Sequence, residues 1–223
     1  MWRATWRCCR KIRIYPIIEE GGIELSIQAG KLIYHLTDME NMHSIFQNGL
    51  LSRACLSVEF VDVADPEIIA YRQSKGMLNY VPFHFFEPTP FAGAVERGYP
   101  EKSFVYIAIY RTFAQANGFL VLPRHPMSGQ SHDDLEVFPY VEGMEKIDWN
   151  AMETRDYHDE YVKCVCMAEC LARDCVNINN LILLNQVVFF VKNDGDKEIL
   201  QQEACYAGIK GALFIQPNPW MFA

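Results

Sequence analysis

The sequence predicts an α+β fold built on a mixed central β-sheet. Short apolar segments rich in β-branched and aromatic residues recur along the chain, as is typical of buried strands. Segments with helix start and stop residues lie mainly in the first third of the chain and near its end. Half of the 223 residues are hydrophobic and 13% are aromatic. This composition can form a real core, so we expect one domain of ordinary size.

The first predicted elements are a strand, a short helix and a glycine stop. The segment KLIYHLT (residues 31–37) is short, apolar and rich in strand formers, which predicts a buried strand. Thr37 or Asp38 then supplies a helix N-cap. MENMHSIFQN (residues 39–48) has apolar residues on one helix face, and Gly49 predicts its end.

The later elements follow at intervals that suit a sheet with flanking helices. DPEIIAYRQS (residues 65–74) predicts a second helix with Pro66 in its first turn. EPTPF (residues 87–91) predicts irregular structure, and the polar residues 129–146 predict an exposed loop. Further strands are predicted at 80–86, 103–110, 185–192 and 211–217, and further helices from 148 and at 196–208.

Charge is unevenly distributed along the chain. The formal net charge is −8, yet residues 1–18 carry five basic side chains and no acid, so the remainder holds −13. A nucleic-acid binder with a broad basic face would have a different charge distribution, so any DNA binding is expected in a local groove. The basic start, which includes Trp2 and Trp6, is a nucleic-acid arm, an extension without a role in the fold, or an Arg-rich targeting segment.

Several features favour a soluble, cytoplasmic protein with no membrane partner. No stretch reaches the about 18 consecutive apolar residues that a transmembrane helix needs. The first residues lack the continuous apolar core of a signal peptide. Eight cysteines in a chain of this length, without a secretory leader, indicate reduced thiols rather than a disulfide framework.

The segment YVKCVCMAECLARDCV (residues 161–176) raises the question of a metal site. Its spacing does not match the two ligand pairs of a structural zinc site. If its first half is extended, the first two cysteines share one face, but we favour small buried hydrophobes and predict no metal. Its cysteines are Cys164, Cys166, Cys170 and Cys175.

Glu169 is the only charged residue in VCMAECLA (residues 165–172). A carboxylate is costly to bury unless it is paired or hydrogen-bonded. Composition alone leaves three interpretations open: a solvent-facing group, a structural ion pair, or a functional carboxylate.

Two further positions are candidates for a polar pocket. His35 ends the first strand, with Thr37 and Asn41 within a turn, which indicates a pocket lining or a capping cluster around a satisfied histidine. Arg72 lies on the second helix, where a lone arginine is usually a surface residue. The sequence contains no Gly-rich phosphate loop, HExxH motif or nucleophile elbow.

Six segments carry a resemblance to a known family. In chain order they are IYHLTDMENMHSIFQNGLLS, YVPFHFFEPTPF, TFAQANG, KIDWNAMETRDY, MAECLA and IQPNPWMF. Together they resemble segments of the DarT family, bacterial toxins that ADP-ribosylate DNA, over residues 31–222. The second segment is similar to the family's Tyr-Val-Pro-Phe-Tyr-Phe, and the fifth to its Gln-Ala-Glu-Phe-Leu.

The resemblance implies an α+β fold of the ADP-ribosyltransferase type, with a split, twisted β-sheet core and flanking helices. It implies that this domain spans residues 31–223 and follows an N-terminal extension, residues 1–30. NAD would be bound as a co-substrate, without a metal.

The resemblance also implies roles for individual residues. Glu169 would be the catalytic glutamate, and Arg72 an active-site arginine that also contacts NAD. His35, Thr37 and Asn41 would contact the ribose and amide on the nicotinamide side of NAD.

Contacts to the DNA base are implied for a second set of residues. A loop over about residues 129–168 would present the base. The pocket walls and DNA contacts would come from Tyr80, Phe83, Arg155, Tyr157 and Lys163. The family usually has arginines directly before its Gln-Ala-Glu, whereas this chain has only Lys163 in KCVCMAE.

The implied reaction suits these residue types. Cleavage of the nicotinamide–ribose bond develops positive charge on the sugar, which a fixed carboxylate stabilises. We expect NAD-dependent transfer of ADP-ribose to a base of single-stranded DNA, with thymine favoured, by a toxin paired with a DarG-like macrodomain antitoxin. The alternatives are a transferase of the same fold that modifies guanine, RNA or protein, and an inactive module that binds NAD or a partner chain.

Overall fold

The computed structural model describes residues 26–57, 60–62, 66–124 and 136–222, and these ranges contain ten strands and nine α-helices. The strands are β1 (Leu32–Asp38), β2 (Leu50–Leu51), β3 (Tyr80–His84), β4 (Phe104–Tyr110), β5 (Leu120–Leu122), β6 (Phe138–Pro139), β7 (Glu169–Arg173), β8 (Cys175–Val176), β9 (Val187–Val191) and β10 (Ile215–Pro217). The α-helices are α1 (Met42–Asn48), α2 (Pro66–Ser74), α3 (Pro90–Gly98), α4 (Arg111–Ala116), α5 (Tyr140–Lys146), α6 (Trp149–Thr154), α7 (Glu160–Cys166), α8 (Ile178–Leu183) and α9 (Asp194–Tyr206). Within the described ranges, no helix has the length and apolar character needed to cross a membrane.

The predicted α+β fold with a mixed central sheet is confirmed. Eight strands form one sheet in the order β10-β9-β4-β1-β3-β7-β5-β6. The pair β9–β10 is parallel, and all the other neighbours are antiparallel. Strands β2 and β8 form a separate antiparallel pair. The run FVYIAIY of β4 is apolar on both faces because both faces of the sheet are covered.

The sheet is split between its two central strands. Strand β1 pairs with β4 along its whole length, but it meets β3 at one residue pair, Tyr34 with His84. Beyond that pair, the side-chain Nδ1 of His35 donates to the carbonyl of Pro82 at 2.8 Å. Because a proline has no N–H, Pro82 cannot donate to β1 on the edge where its carbonyl points. A cleft therefore opens between β1 and β3.

The core lies on both faces of the sheet. The larger cluster includes Phe46, Ile107 and Phe189, all fully buried. A second, smaller cluster packs α3 and Phe222, near the end of the chain, against the opposite face. The cleft is thus held between two packed layers.

The chain before β1 is tied onto the sheet by Arg111. Its buried guanidinium donates to the carbonyls of Ile27, Gln28, Leu32 and Phe85, at 2.9 to 3.1 Å. The side chain of Ile27 is itself part of the larger core cluster. The division into an extension over 1–30 and a domain over 31–223 stays a prediction, since residues 1–25 lie outside the described part.

Two segments expected to be irregular are helical. Helix α3 begins at Pro90, in the segment that we expected to lack regular structure. Proline suits the first turn of a helix, and Thr89 caps α3 by accepting the Ala92 N–H at 3.2 Å. Residues 138–146, part of the predicted exposed loop, form β6 and α5. Residues 129–135 of that loop lie outside the described residues.

The cysteine-rich segment also differs from the extended conformation considered for it. Residues 160–166 form α7, capped by the side chain of Asp159, which accepts the Val162 N–H at 3.1 Å. Cys164 and Cys166 therefore do not share the face of a strand. Helices also occupy the middle of the chain, contrary to the predicted distribution, because short apolar segments do not distinguish buried helices from buried strands.

Candidate active site

A cavity of about 240 Å³ lies in the cleft between β1 and β3. Residues from β1, the start of α1, α2, β3 and the start of β7 contribute to its wall. Those used below are His35, Thr37, Asn41, Ser52, Arg53, Arg72, Tyr80, His84, Glu87, Phe91 and Glu169. The structure thus brings six of the sequence-predicted site residues to one cavity, although they are spread over more than half of the chain.

Glu169 and Arg72 form a buried ion pair in this cavity. Nη1 of Arg72 donates to both carboxylate oxygens, at 2.8 and 2.7 Å. The two residues are 7% and 4% exposed, for Arg72 and Glu169 respectively, so a solvent-facing glutamate is excluded. Charge-assisted hydrogen bonds in a dry site are strong and fix geometry, and they hold the carboxylate ionised in an apolar segment.

Three buried polar atoms of residues that line the cavity have no hydrogen-bond partner among the described residues, and one of them is Oε1 of Glu87. The other two are Nη2 of Arg72 and Oγ of Ser52. A buried polar atom left unpaired costs about 1–3 kcal/mol. The wall is therefore suited to a polar ligand that offers an acceptor to Arg72 and a partner to the Ser52 hydroxyl.

His35 lies in the middle of β1, not at its end as the sequence predicted, and it faces the cleft as a neutral imidazole. The pKa of His35 is lowered to about 4, mainly by burial and also by the nearby charge of His84. The Pro82 carbonyl can only accept, so Nδ1 of His35 carries the proton and Nε2 is an acceptor. The ring packs at 5.6 Å from that of Phe83.

Thr37 and Asn41 line the cavity, and neither side chain caps a helix: the cap is Asp38, whose side chain accepts the Glu40 N–H at 2.9 Å. Nδ2 of Asn41 donates to Oγ1 of Thr37 at 3.3 Å. The same amide bonds both backbone groups of Val61, accepting its N–H at 2.9 Å and donating to its carbonyl at 3.0 Å. Asn41 therefore holds residues 60–62 against the start of α1.

The residues implied to contact the base are divided between the core and the surface. Tyr80 lines the cavity, whereas Phe83 is fully buried beneath His35. Arg155 is exposed, with a positive φ of 49°, and its guanidinium lies 5.1 Å from the Phe86 ring centroid. Tyr157 is 39% exposed, and Lys163 is partly buried on α7. Arg155, Tyr157 and Lys163 do not line the cavity.

The expectation that the four cysteines of residues 161–176 are buried packing residues holds for two of them and is wrong for Cys175, which is exposed, while Cys164 is partly buried. Cys166 and Cys170 are buried, and burial raises the pKa of both thiols, that of Cys166 to about 11. All six cysteines in the described ranges are free thiols. These ranges contain no group of three His, Cys, Asp or Glu side chains that could hold a metal ion.

Sequence analysis missed several cavity residues. His84 and Glu87 follow YVPF, and Ser52 and Arg53 follow NGLL. The one available signal was His84, which stands where the family motif has a second tyrosine. Strand alternation alone does not show which face borders a cleft.

Burial also affects a carboxyl group beside the cavity. The pKa of Glu87 is raised well above its ordinary value, mainly by burial, and the charge of Glu96 adds to the shift. The Thr89 N–H donates to Oε2 of Glu87 at 3.0 Å, and the hydroxyl of Tyr106 donates to Glu96 at 3.1 Å. The neutral form of Glu87 is thus more favoured than that of an exposed carboxyl group.

Residues 34–222 match the family model described as "ssDNA thymidine ADP-ribosyltransferase, DarT". This match covers most of the chain. A search of curated proteins found no match.

Solved structures share the fold at low sequence identity. DarT of Thermus sp. 2.9 in complex with ADP-ribosylated ssDNA is 16% identical, with a TM-score of 0.71, over 86% of this chain and 96% of that one. The same protein in complex with NAD+ is 14% identical, with a TM-score of 0.66, over 86% and 98%. DarTG of Thermosipho africanus in complex with ADP-ribose is 18% identical, with a TM-score of 0.64, over 86% and 51%.

Proposed function

The chain belongs to the DarT family, and on this premise we propose that it transfers ADP-ribose from NAD to thymidine in single-stranded DNA and releases nicotinamide. The observation that carries the proposal is the buried Arg72–Glu169 pair in the cleft between β1 and β3. Glu169 has the position in MAECLA that corresponds to the family's catalytic glutamate. The cleft supplies the dry setting in which such a carboxylate is most effective.

Glu169 stabilises the transition state for cleavage of NAD. The bond between the nicotinamide nitrogen and ribose C1′ breaks, its electron pair leaves with neutral nicotinamide, and positive charge develops on the sugar. A ring nitrogen of the base forms the new bond to C1′, and its proton passes to a carboxylate or to water. Because Arg72 holds Glu169 through one nitrogen, the carboxylate is oriented before substrate binds.

Arg72 has a second role in this proposal. Its Nη1 is committed to Glu169, whereas Nη2 has no partner among the described residues. Nη2 can therefore donate to an oxygen of NAD or of the base while the ion pair remains intact. His35, with Nε2 as a neutral acceptor, is suited to a donor such as the amide group of nicotinamide.

The biological setting follows from family membership. We propose that the protein is a toxin that acts on DNA in the cytoplasm and that a DarG-like macrodomain antitoxin is its partner. The family description names thymidine, which favours thymine over the guanine, RNA and protein acceptors considered above. The paired and buried Glu169 favours an active enzyme over a binding module.

The direct test uses labelled NAD and single-stranded oligonucleotides that differ only in whether they contain thymidine. We expect a mass increase of one ADP-ribose on the thymidine-containing strand alone, together with release of nicotinamide. RNA and an unrelated protein serve as competing acceptors. If the folded protein transfers ADP-ribose to none of the oligonucleotides, the DNA assignment is wrong.

A further inference from the structure

We propose that His84 is a positioning residue that orients Glu169 by holding the backbone just before it. This role rests on the proposed function, because it concerns the same carboxylate. His84 lines the cavity and is 8% exposed. It is absent from the residues that the family resemblance assigned to the site.

The sheet register places His84 directly beside Glu169. His84 on β3 is paired with Glu169 on β7, and with Tyr34 on β1. Residues paired across neighbouring strands point to the same face, with Cβ atoms about 4.5–5.5 Å apart. His84 thus lies at the single pair that joins the two halves of the sheet, next to the catalytic carboxylate.

The imidazole of His84 also contacts the residue that precedes Glu169. Its Nδ1 lies 3.3 Å from the carbonyl oxygen of Ala168. A carbonyl can only accept, so Nδ1 carries the proton in this contact. This donor is kept whether the imidazole is neutral or protonated.

The contact between His84 and the Ala168 carbonyl lies at the start of β7. Helix α7 ends at Cys166, and the Ala168 N–H still donates to the carbonyl of Val165 at 3.0 Å. Glu169 is the first residue of the strand. The His84 side chain therefore fixes the turn that connects α7 to β7. It thereby sets the direction in which the Glu169 side chain points.

The histidine ring is itself held in place by packing. It lies 6.3 Å from the ring of Phe91, at an interplanar angle of 38°. Phe91 also lines the cavity, on α3. Ring packing and the donor are separate properties, so they can be tested by separate substitutions.

Three substitutions distinguish the donor from the other properties of the residue. His84→Asn places an amide N–H close to the position of Nδ1, His84→Gln moves the same group one bond further, and His84→Phe keeps the ring without a donor. A displacement of 1 Å in catalytic geometry costs about 10²-fold in rate. We expect kcat to fall about 10- to 100-fold for His84→Phe and His84→Gln, with rescue to within about threefold by His84→Asn.

The assay measures nicotinamide release with and without a thymidine oligonucleotide, together with KM for NAD and the midpoint of thermal unfolding. His43→Phe, on the outer part of α1, is the matched control and is expected to leave kcat unchanged. Equal rates for the Asn, Gln and Phe variants, whether all high or all low, would overturn the proposal. If wild type releases nicotinamide from NAD but modifies no DNA, the proposed function fails, and the same three variants still test His84 on nicotinamide release.

Discussion

At the scale of single residues, the site depends on one charge buried in an apolar segment. Glu169 keeps its ionised form because Arg72 bonds both of its oxygens. Removal of one partner of a buried ion pair typically costs about 3–5 kcal/mol, because the other charge is left uncompensated. Truncation of either residue to alanine therefore tests stability as well as catalysis, and a near-isosteric change is more informative.

Glu169→Gln is expected to abolish most of the transfer activity while the protein remains folded. The amide oxygen can still accept from Arg72, but the negative charge that stabilises the sugar cation in the proposed mechanism is lost. Loss of one preorganised electrostatic group costs about 10²–10³-fold in kcat. Transfer to a thymidine oligonucleotide is measured together with thermal unfolding, with Glu198→Gln on the exposed face of α9 as the control. Wild-type activity in Glu169→Gln would show that another group stabilises the transition state.

Glu87 gives a pH-dependent prediction at the same scale. Its pKa is raised in the folded protein above the ordinary value of 4.5, so the folded state binds the proton more tightly than the unfolded state does. Stability from this group is complete below the unfolded pKa and is lost as the pH rises towards the folded pKa. Glu87→Gln replaces the ionisable group with a neutral amide, so the variant does not lose this stability as the pH rises.

The free energy of unfolding of Glu87→Gln relative to wild type should therefore increase with pH above about 4.5, measured by urea denaturation across a pH series. Glu145→Gln, at an exposed position, should show no such trend. A difference from wild type that stays constant with pH would mean that Glu87 ionises normally in the folded protein.

At the scale of elements, the strands formed by long apolar runs were predicted, whereas five of the ten strands in the described ranges and several helices were missed. Strands β3, β4 and β9 lie within the predicted segments, and β1 runs one residue past its predicted end, because long β-rich apolar runs have few alternative structures. Helices α3, α5 and α7 were missed because prolines, polar residues and cysteines dominate their local signals. Side-chain caps begin α3 and α7, and all three helices bury residues in the core, which composition does not show.

The close packing of α5 on β5 gives a test of one missed element. A Cβ at Gly143 would lie 2.5 Å from Cβ of Val121, and both sites are buried. Gly143→Ala is therefore expected to lower the free energy of unfolding by about 1–3 kcal/mol through overpacking. Gly98→Ala, at the end of α3, meets nothing within 4 Å and should be neutral or slightly stabilising. Equal stability of the two variants in urea would contradict the placement of α5.

At the scale of the whole molecule, the unequal charge distribution bears on DNA binding. Residues 1–18 carry five positive charges, and the chain after them carries −13. The described part begins beside α6, where the Ile27 N–H donates to the side chain of Glu153. Arg155 and Tyr157, which the family resemblance implies as DNA contacts, follow within four residues. The first described residues thus lie next to the expected DNA loop.

Removal of residues 1–18 tests the nucleic-acid arm among the three interpretations of this segment. If the arm neutralises phosphates, the slope of log affinity for single-stranded DNA against log salt should become shallower by about 0.7 for each phosphate that the arm neutralises. KM for NAD should not change, because the cavity is built from later residues. An unchanged salt slope would favour an extension or a targeting segment.

The sequence by itself determined the fold class, the family and the identity of Glu169 and Arg72 as site candidates. These follow from strand-forming apolar runs and from motifs in a fixed order, which are local properties of the chain. Only the tertiary structure decided that Glu169 is paired with Arg72, that Asn41 holds residues 60–62, and that His84 lies beside the carboxylate. Those pairings join residues up to 97 positions apart, and they depend on the sheet register and on the cleft that Pro82 leaves between β1 and β3. Hydrogen bonding and burial at that distance are set by how elements pack, which no local pattern records.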